Sequence, residues 1–96
     1  MDEIINIICN EFGVTCEEFF SNKRIKLFVA LRRISMLILN EHGFSIRGDI
    51  KNKFGYKHRR IVNKYISNTK TWIISDAFYS DIYKKAKDAI NREIHP

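Results

Sequence analysis

Residues 57–64 carry Lys57-His58-Arg59-Arg60 and, one helical turn further on, Asn63 and Lys64. These side chains suit hydrogen bonding to base edges. Arginine bonds bidentately to guanine O6 and N7, and asparagine does the same to adenine N6 and N7. A second cluster, Lys23, Arg24, Lys26, Arg32 and Arg33, contains no acid and suits phosphate or minor-groove contacts. Other chemistries have less to build on. Cys9 and Cys16 lie seven residues apart, wider than metal sites usually pair cysteines, and His42, His58 and His95 form no second ligand pair. Both thiols are expected to be reduced and structural, with no metal and no cofactor. Asp76, Asp81, Glu17 and Glu18 form no catalytic carboxylate pair, and no Ser-His-Asp or Cys-His set has workable spacing. No enzymatic activity is expected.

The elements that must carry these side chains read as helices. Ile4, Ile5, Ile8 and Phe12 recur at helical spacing over 3–12, and Gly13 closes that segment. Thr15-x-x-Glu18 is a capping-box pattern ahead of Phe19 and Phe20. From about Arg24 to His42 runs a helix that is apolar on most sides, and such a helix is the central one. Ser45 caps a helix with Ile46, Ile50 and Phe54 as its stripe, in which Gly48 costs about 1 kcal/mol of propensity. Gly55 breaks it, and the next helix begins within two residues. There Ile61, Val62, Tyr65 and Ile66 face inward, while Arg60, Asn63, Lys64 and Ser67 face out. A last helix, capped by Ser75, runs over 75–94 and buries Phe78, Ile82, Ala86, Ala89 and Ile90 on one side. Nothing alternates with period two. The expectation is an all-α, single-domain bundle of about six helices over residues 1–96.

Composition narrows the partner. Of 96 residues, 17 are Lys or Arg and 11 are Asp or Glu, giving a net charge of +6. The bases are not mixed with the acids: residues 1–22 hold five acids and no base, residues 23–33 five bases and no acid, and residues 45–70 eight bases against Asp49 alone. Segregation of this kind points to a polyanion, with nucleic acid first and an anionic membrane surface or an acidic protein as rivals. The most apolar stretch, Leu27 to Leu39, is interrupted by Arg32 and Arg33 and is too short to span a membrane. The acidic start, Met1-Asp2-Glu3, is unlike a secretory signal, so a cytoplasmic, nucleoid-associated protein is expected.

Two short helices joined by a tight glycine turn are a helix-turn-helix, whose second helix enters the major groove. Beyond that general pattern, the span from Ile4 to Ile66 resembles the C-terminal DNA-binding domain of DnaA, the bacterial replication initiator. The matching stretches are Phe12-Gly13-Val14-Thr15, Ser21-x-x-Arg24, Arg32-x-Ile34-Ser35-Met36 and Phe54-Gly55-x-x-His58-x-x-Ile61. The resemblance implies that Arg24 reaches into the minor groove and that the region of Lys26 and Arg32 and the cap at Ser45 contact phosphates. It also implies that His58, Arg59 and Arg60 read the major groove. Lys57 stands where the family has Asp, Arg59 and Arg60 replace its two Thr, and Ser45–Phe54 matches with a one-residue offset. With no phosphate-loop pattern, the chain reads as a free-standing relative, such as a phage, plasmid or mobile-element regulator of replication or transcription.

Several of these residues have a plainer reading. His58 can be a core or capping histidine, and Arg59 and Arg60 solvated charges. Arg32 and Arg33 can snorkel or pair with Glu17, Glu18 or Glu41, and Trp72 can pack the last helix onto the bundle or stack on a single strand. Two other functional classes stay open: a helical protein-interaction module with a basic face for an acidic partner, and an unrelated helix-turn-helix regulator.

Overall fold

Every residue from Ile34 to Leu39, Ser35 included, is buried, which a helix achieves only with neighbours on all sides. The computed structural model describes residues 1–21 and 23–94, and the secondary structure they form is entirely helical. Helix α1 spans Asp2–Phe12, α2 Cys16–Phe20, α3 Lys26–Glu41, α5 Arg59–Ser75 and α6 Ala77–Ile94. Between α3 and α5, α4 starts as a π turn, Ile46–Ile50, and continues as one α-helical turn, Lys51–Lys53. The central helix is α3, and α1, α2, the π turn, α5 and α6 all pack against it. Helix α6 also closes against α1 and α5. The all-α bundle of about six helices expected from the sequence is what forms, with six among the described residues.

Local sequence explains most boundaries. The Thr15 hydroxyl accepts from the Glu18 amide (3.1 Å), and the Glu18 carboxylate accepts from the Thr15 amide (3.0 Å), completing the expected capping box. At the end of α4, Gly55 takes φ +74°. That left-handed conformation lets the Gly55 amide donate to Asn52 O (3.2 Å) and the Tyr56 amide to Lys51 O (3.0 Å). Carbonyls orphaned at the helix end are thereby satisfied and the chain turns sharply. Gly13 closes α1 in the same way.

Four boundaries differ from the sequence expectation. Helix α3 begins at Lys26, not near Arg24: Ile25 is its extended N-cap and 48% exposed, leaving Arg24 on the connecting segment. Helix α5 begins at Arg59, because the turn at Gly55 and Tyr56 is followed by extended backbone at His58 (φ −130°, ψ 134°). Helix α6 is capped by Asp76, whose carboxylate accepts from the Phe78 amide (2.9 Å), while Ser75 stays in α5 and donates to Thr71 O (3.0 Å). The opening of α4 is π rather than α, with the Ile50 amide donating to Ser45 O (2.9 Å), five residues back.

The two thiols are free, Cys9 buried and Cys16 exposed. Burial, with the neighbouring Cys16 thiol adding to it, pushes Cys9 up to about 11. No described helix is long and apolar enough to cross a membrane.

Candidate nucleic-acid interface

Helix α5 is built to hold one face and present the other. Val62, Ile66 and Thr69 are buried on one side, and the Thr69 hydroxyl is tied to Tyr65 O (2.6 Å). Lys57, His58, Arg59, Arg60, Asn63 and Lys64 are all exposed at or just before its N-terminal end. His58 occupies the N-cap position but makes no side-chain capping bond, so it is neither a core nor a capping histidine. Ile61, expected inward, is 37% exposed. Successive helix residues are turned by 100°, so an arc centred on Val62, Ile66 and Thr69 leaves Ile61 on its flank.

The first basic cluster is arranged differently. Arg24, Lys26, Arg32 and Arg33 line a groove of about 690 Å³ whose other walls include Phe20, Phe54, the Gly55 turn, Tyr56 and Tyr65. Residues 24–33 and the turn leading into α5 therefore share one surface feature. Two of its guanidinium groups are fixed. Arg32 donates to Phe19 O (3.0 Å) and Lys23 O (3.4 Å), the carbonyls that end α2 and follow it. Arg33 lies over the rings of Tyr65 (4.8 Å) and Trp72 (5.1 Å), and Lys26 lies over Phe78 (4.5 Å). Neither arginine pairs with Glu17, Glu18 or Glu41. Carbonyl oxygens and ring faces take that role, and they leave the positive charge uncancelled. Burial lowers the Arg32 guanidinium from its ordinary pKa, with Tyr56 opposing the shift and Arg33 adding to it. Burial also raises the Tyr56 phenol, with Tyr65 adding to the shift and Arg32 and Arg33 opposing it.

Ser45 lies away from this groove. Its hydroxyl accepts from the Gly48 (3.3 Å) and Asp49 (3.1 Å) amides, and the Asp49 carboxylate accepts from the Ser45 amide (3.0 Å). The cap expected at Ser45 exists, with an acid beside it. Trp72 packs against Tyr79 of α6, ring centroids 5.2 Å apart, in keeping with the packing role. His95 lies outside the described residues. Among the described residues, no three His, Cys, Asp or Glu side chains converge to hold a metal.

No family model, curated protein or solved structure matches this chain. Sequence reasoning did not find Phe20 and Tyr56 as groove walls. Tyr56 follows a turn glycine more than thirty residues from Arg24, and no spacing rule links the two.

Proposed function

We propose that this chain binds double-stranded DNA sequence-specifically through a helix-turn-helix formed by α4, the Gly55 turn and α5, acting in replication initiation or transcriptional regulation without ATPase activity. The observation that carries the reading is the exposure of Arg60, Asn63 and Lys64 on α5, away from the face anchored by Val62, Ile66 and Thr69, with exposed Lys57 and Arg59 at or just before its start. In this reading α5 lies in the major groove, with Arg60 and Asn63 at base edges and Lys57 and Lys64 at phosphates. Arg24 and Lys26, at the mouth of the neighbouring groove, take the flanking backbone or minor groove.

The resemblance to the DnaA C-terminal domain gains support from α4. An i→i+5 turn encloses one residue more than an i→i+4 turn, so the π turn at Ile46–Ile50 absorbs the one-residue offset seen over Ser45–Phe54. Arg59 and Arg60 in place of Thr point to a different recognition sequence.

Selection of bound sequences from a random duplex pool tests the reading. A consensus is expected, and its loss in Arg60→Ala at one base position. Binding without sequence preference would overturn it. One observation favours the protein-interaction alternative: Ile74, on the outward side of α5, is 89% exposed. Competition by random duplex DNA separates the two, since a protein partner that keys on Ile74 resists it.

A further inference from the structure

The groove beside the α4–α5 turn holds positive charge that no described part of the chain neutralises. The described ion pairs are Lys53–Asp2, Lys87–Glu41 and Arg92–Glu11, and none involves a groove residue. No described carboxylate lines the groove. Gathering like charges in a partly enclosed site costs free energy unless a counter-charge arrives. Arg32 and Arg33 are also ordered in advance, by two carbonyls and two ring faces, so binding an anion there costs little further side-chain entropy.

The remaining walls indicate what the anion is attached to. Phe20 is 38% exposed, with Phe54 beside it at a ring separation of 5.6 Å, and Tyr56 packs against Tyr65 at the same distance. A volume of about 690 Å³ suits a small ligand. Paired DNA keeps its base faces stacked inside the duplex, so an aromatic wall gains nothing from it. An unstacked base gains a great deal.

We propose that this groove binds a single nucleoside phosphate with an unstacked base, the phosphate on Arg32 and Arg33 and the base against Phe20 and Tyr56. Such a group comes either from the unpaired end of a strand or from a free nucleotide. The site is separate from the outward face of α5 and adds to the duplex-binding reading without requiring it.

The test titrates the full chain with adenosine 5′-monophosphate, ribose 5-phosphate and inorganic phosphate, following Trp72 fluorescence, since Arg33 lies over that ring. The same duplex is then compared with blunt ends and with a short single-stranded extension. If the proposal holds, the mononucleotide binds about tenfold or more tightly than ribose 5-phosphate, as one stacked base allows, or the extension tightens duplex binding by a similar factor. A gain in the first arm alone identifies a free nucleotide as the ligand, and a gain in the second alone a strand end. Phe20→Ala and Arg33→Gln remove the gain and leave blunt-duplex binding within about twofold. Equal binding of the three small probes together with no gain from the extension overturns the proposal, and does so even if blunt duplex binds well. Nucleotide binding without any duplex binding overturns the α5 reading instead.

Discussion

The surface formed by α1, α6 and the C-terminal end of α3 and the surface formed by α5 and the groove use the same residue types in opposite ways. On the first, two cations meet acids: Arg92 pairs with Glu11 (2.5 Å) and Lys87 with Glu41 (3.5 Å). Tyr83 also donates to the Glu41 carboxylate (2.8 Å), and burial with that bond pushes its phenol up to about 12. On the second, described ion pairs are absent from Arg24, Lys26, Arg32, Arg33, Lys57, Arg59, Arg60 and Lys64. Exposed pairs contribute little to stability, so the contrast is not about what keeps the chain folded. It concerns where positive potential is cancelled at home and where it is left for something outside.

The largest expected effect addresses that potential directly. If about six phosphates are neutralised, duplex affinity falls roughly a thousandfold between 50 and 200 mM salt. A flat response in fluorescence anisotropy would remove the distinction between the two surfaces. Next comes Arg60→Ala, expected to cost about 1–3 kcal/mol on the selected sequence and less on others. An equal loss on every sequence would turn Arg60 into a phosphate contact.

Smaller effects probe the scaffold. Arg32→Ala should lower folding stability by about 1.5 kcal/mol, through loss of charge-assisted bonds to Phe19 O and Lys23 O. The denaturant midpoint reads this, and an unchanged midpoint means the carbonyls do not hold the side chain. Ser35→Ala should raise stability by about 1 kcal/mol, because the buried Ser35 hydroxyl has no partner. A lower midpoint would mean that the hydroxyl is satisfied. Smallest of all, Arg92→Ala should change stability by less than about 0.5 kcal/mol and leave duplex binding alone. A binding loss rivalling that of Arg60→Ala would make the two surfaces equivalent.

Much of the fold was legible because its signals are local. Ile34 to Leu39 announced a central helix, Thr15 and Glu18 a capping box, and Gly13 and Gly55 two helix ends. Each depends on residues within a few positions of one another. The misplaced starts of α3, α5 and α6 share one cause. Where two residues compete to cap or open a helix, as Ser75 does with Asp76, the winner depends on how the neighbouring helix must leave, and composition does not carry that information. The π turn escaped for a related reason: apolar spacing at Ile46, Ile50 and Phe54 fits an α-helix, and only the hydrogen bond from Ile50 to Ser45 shows the wider turn.

The candidate site divides along the same line. Exposure of Arg60, Asn63 and Lys64 followed from helical periodicity, since Val62 and Ile66 had to be inside. Periodicity could not say what Arg32 and Arg33 would do, because their partners lie on other elements: the end of α2 for one, Tyr65 and Trp72 of α5 for the other. The amino-acid sequence by itself determined about six helices, a buried α3 and two basic stretches that together hold a single acid, Asp49, all properties of near neighbours along the chain. Only the tertiary structure decided that one stretch faces outward on α5 while the other closes around an aromatic groove. Packing α2 and α5 against α3 brings together residues from 20 to 65, a juxtaposition that no interval in the sequence specifies.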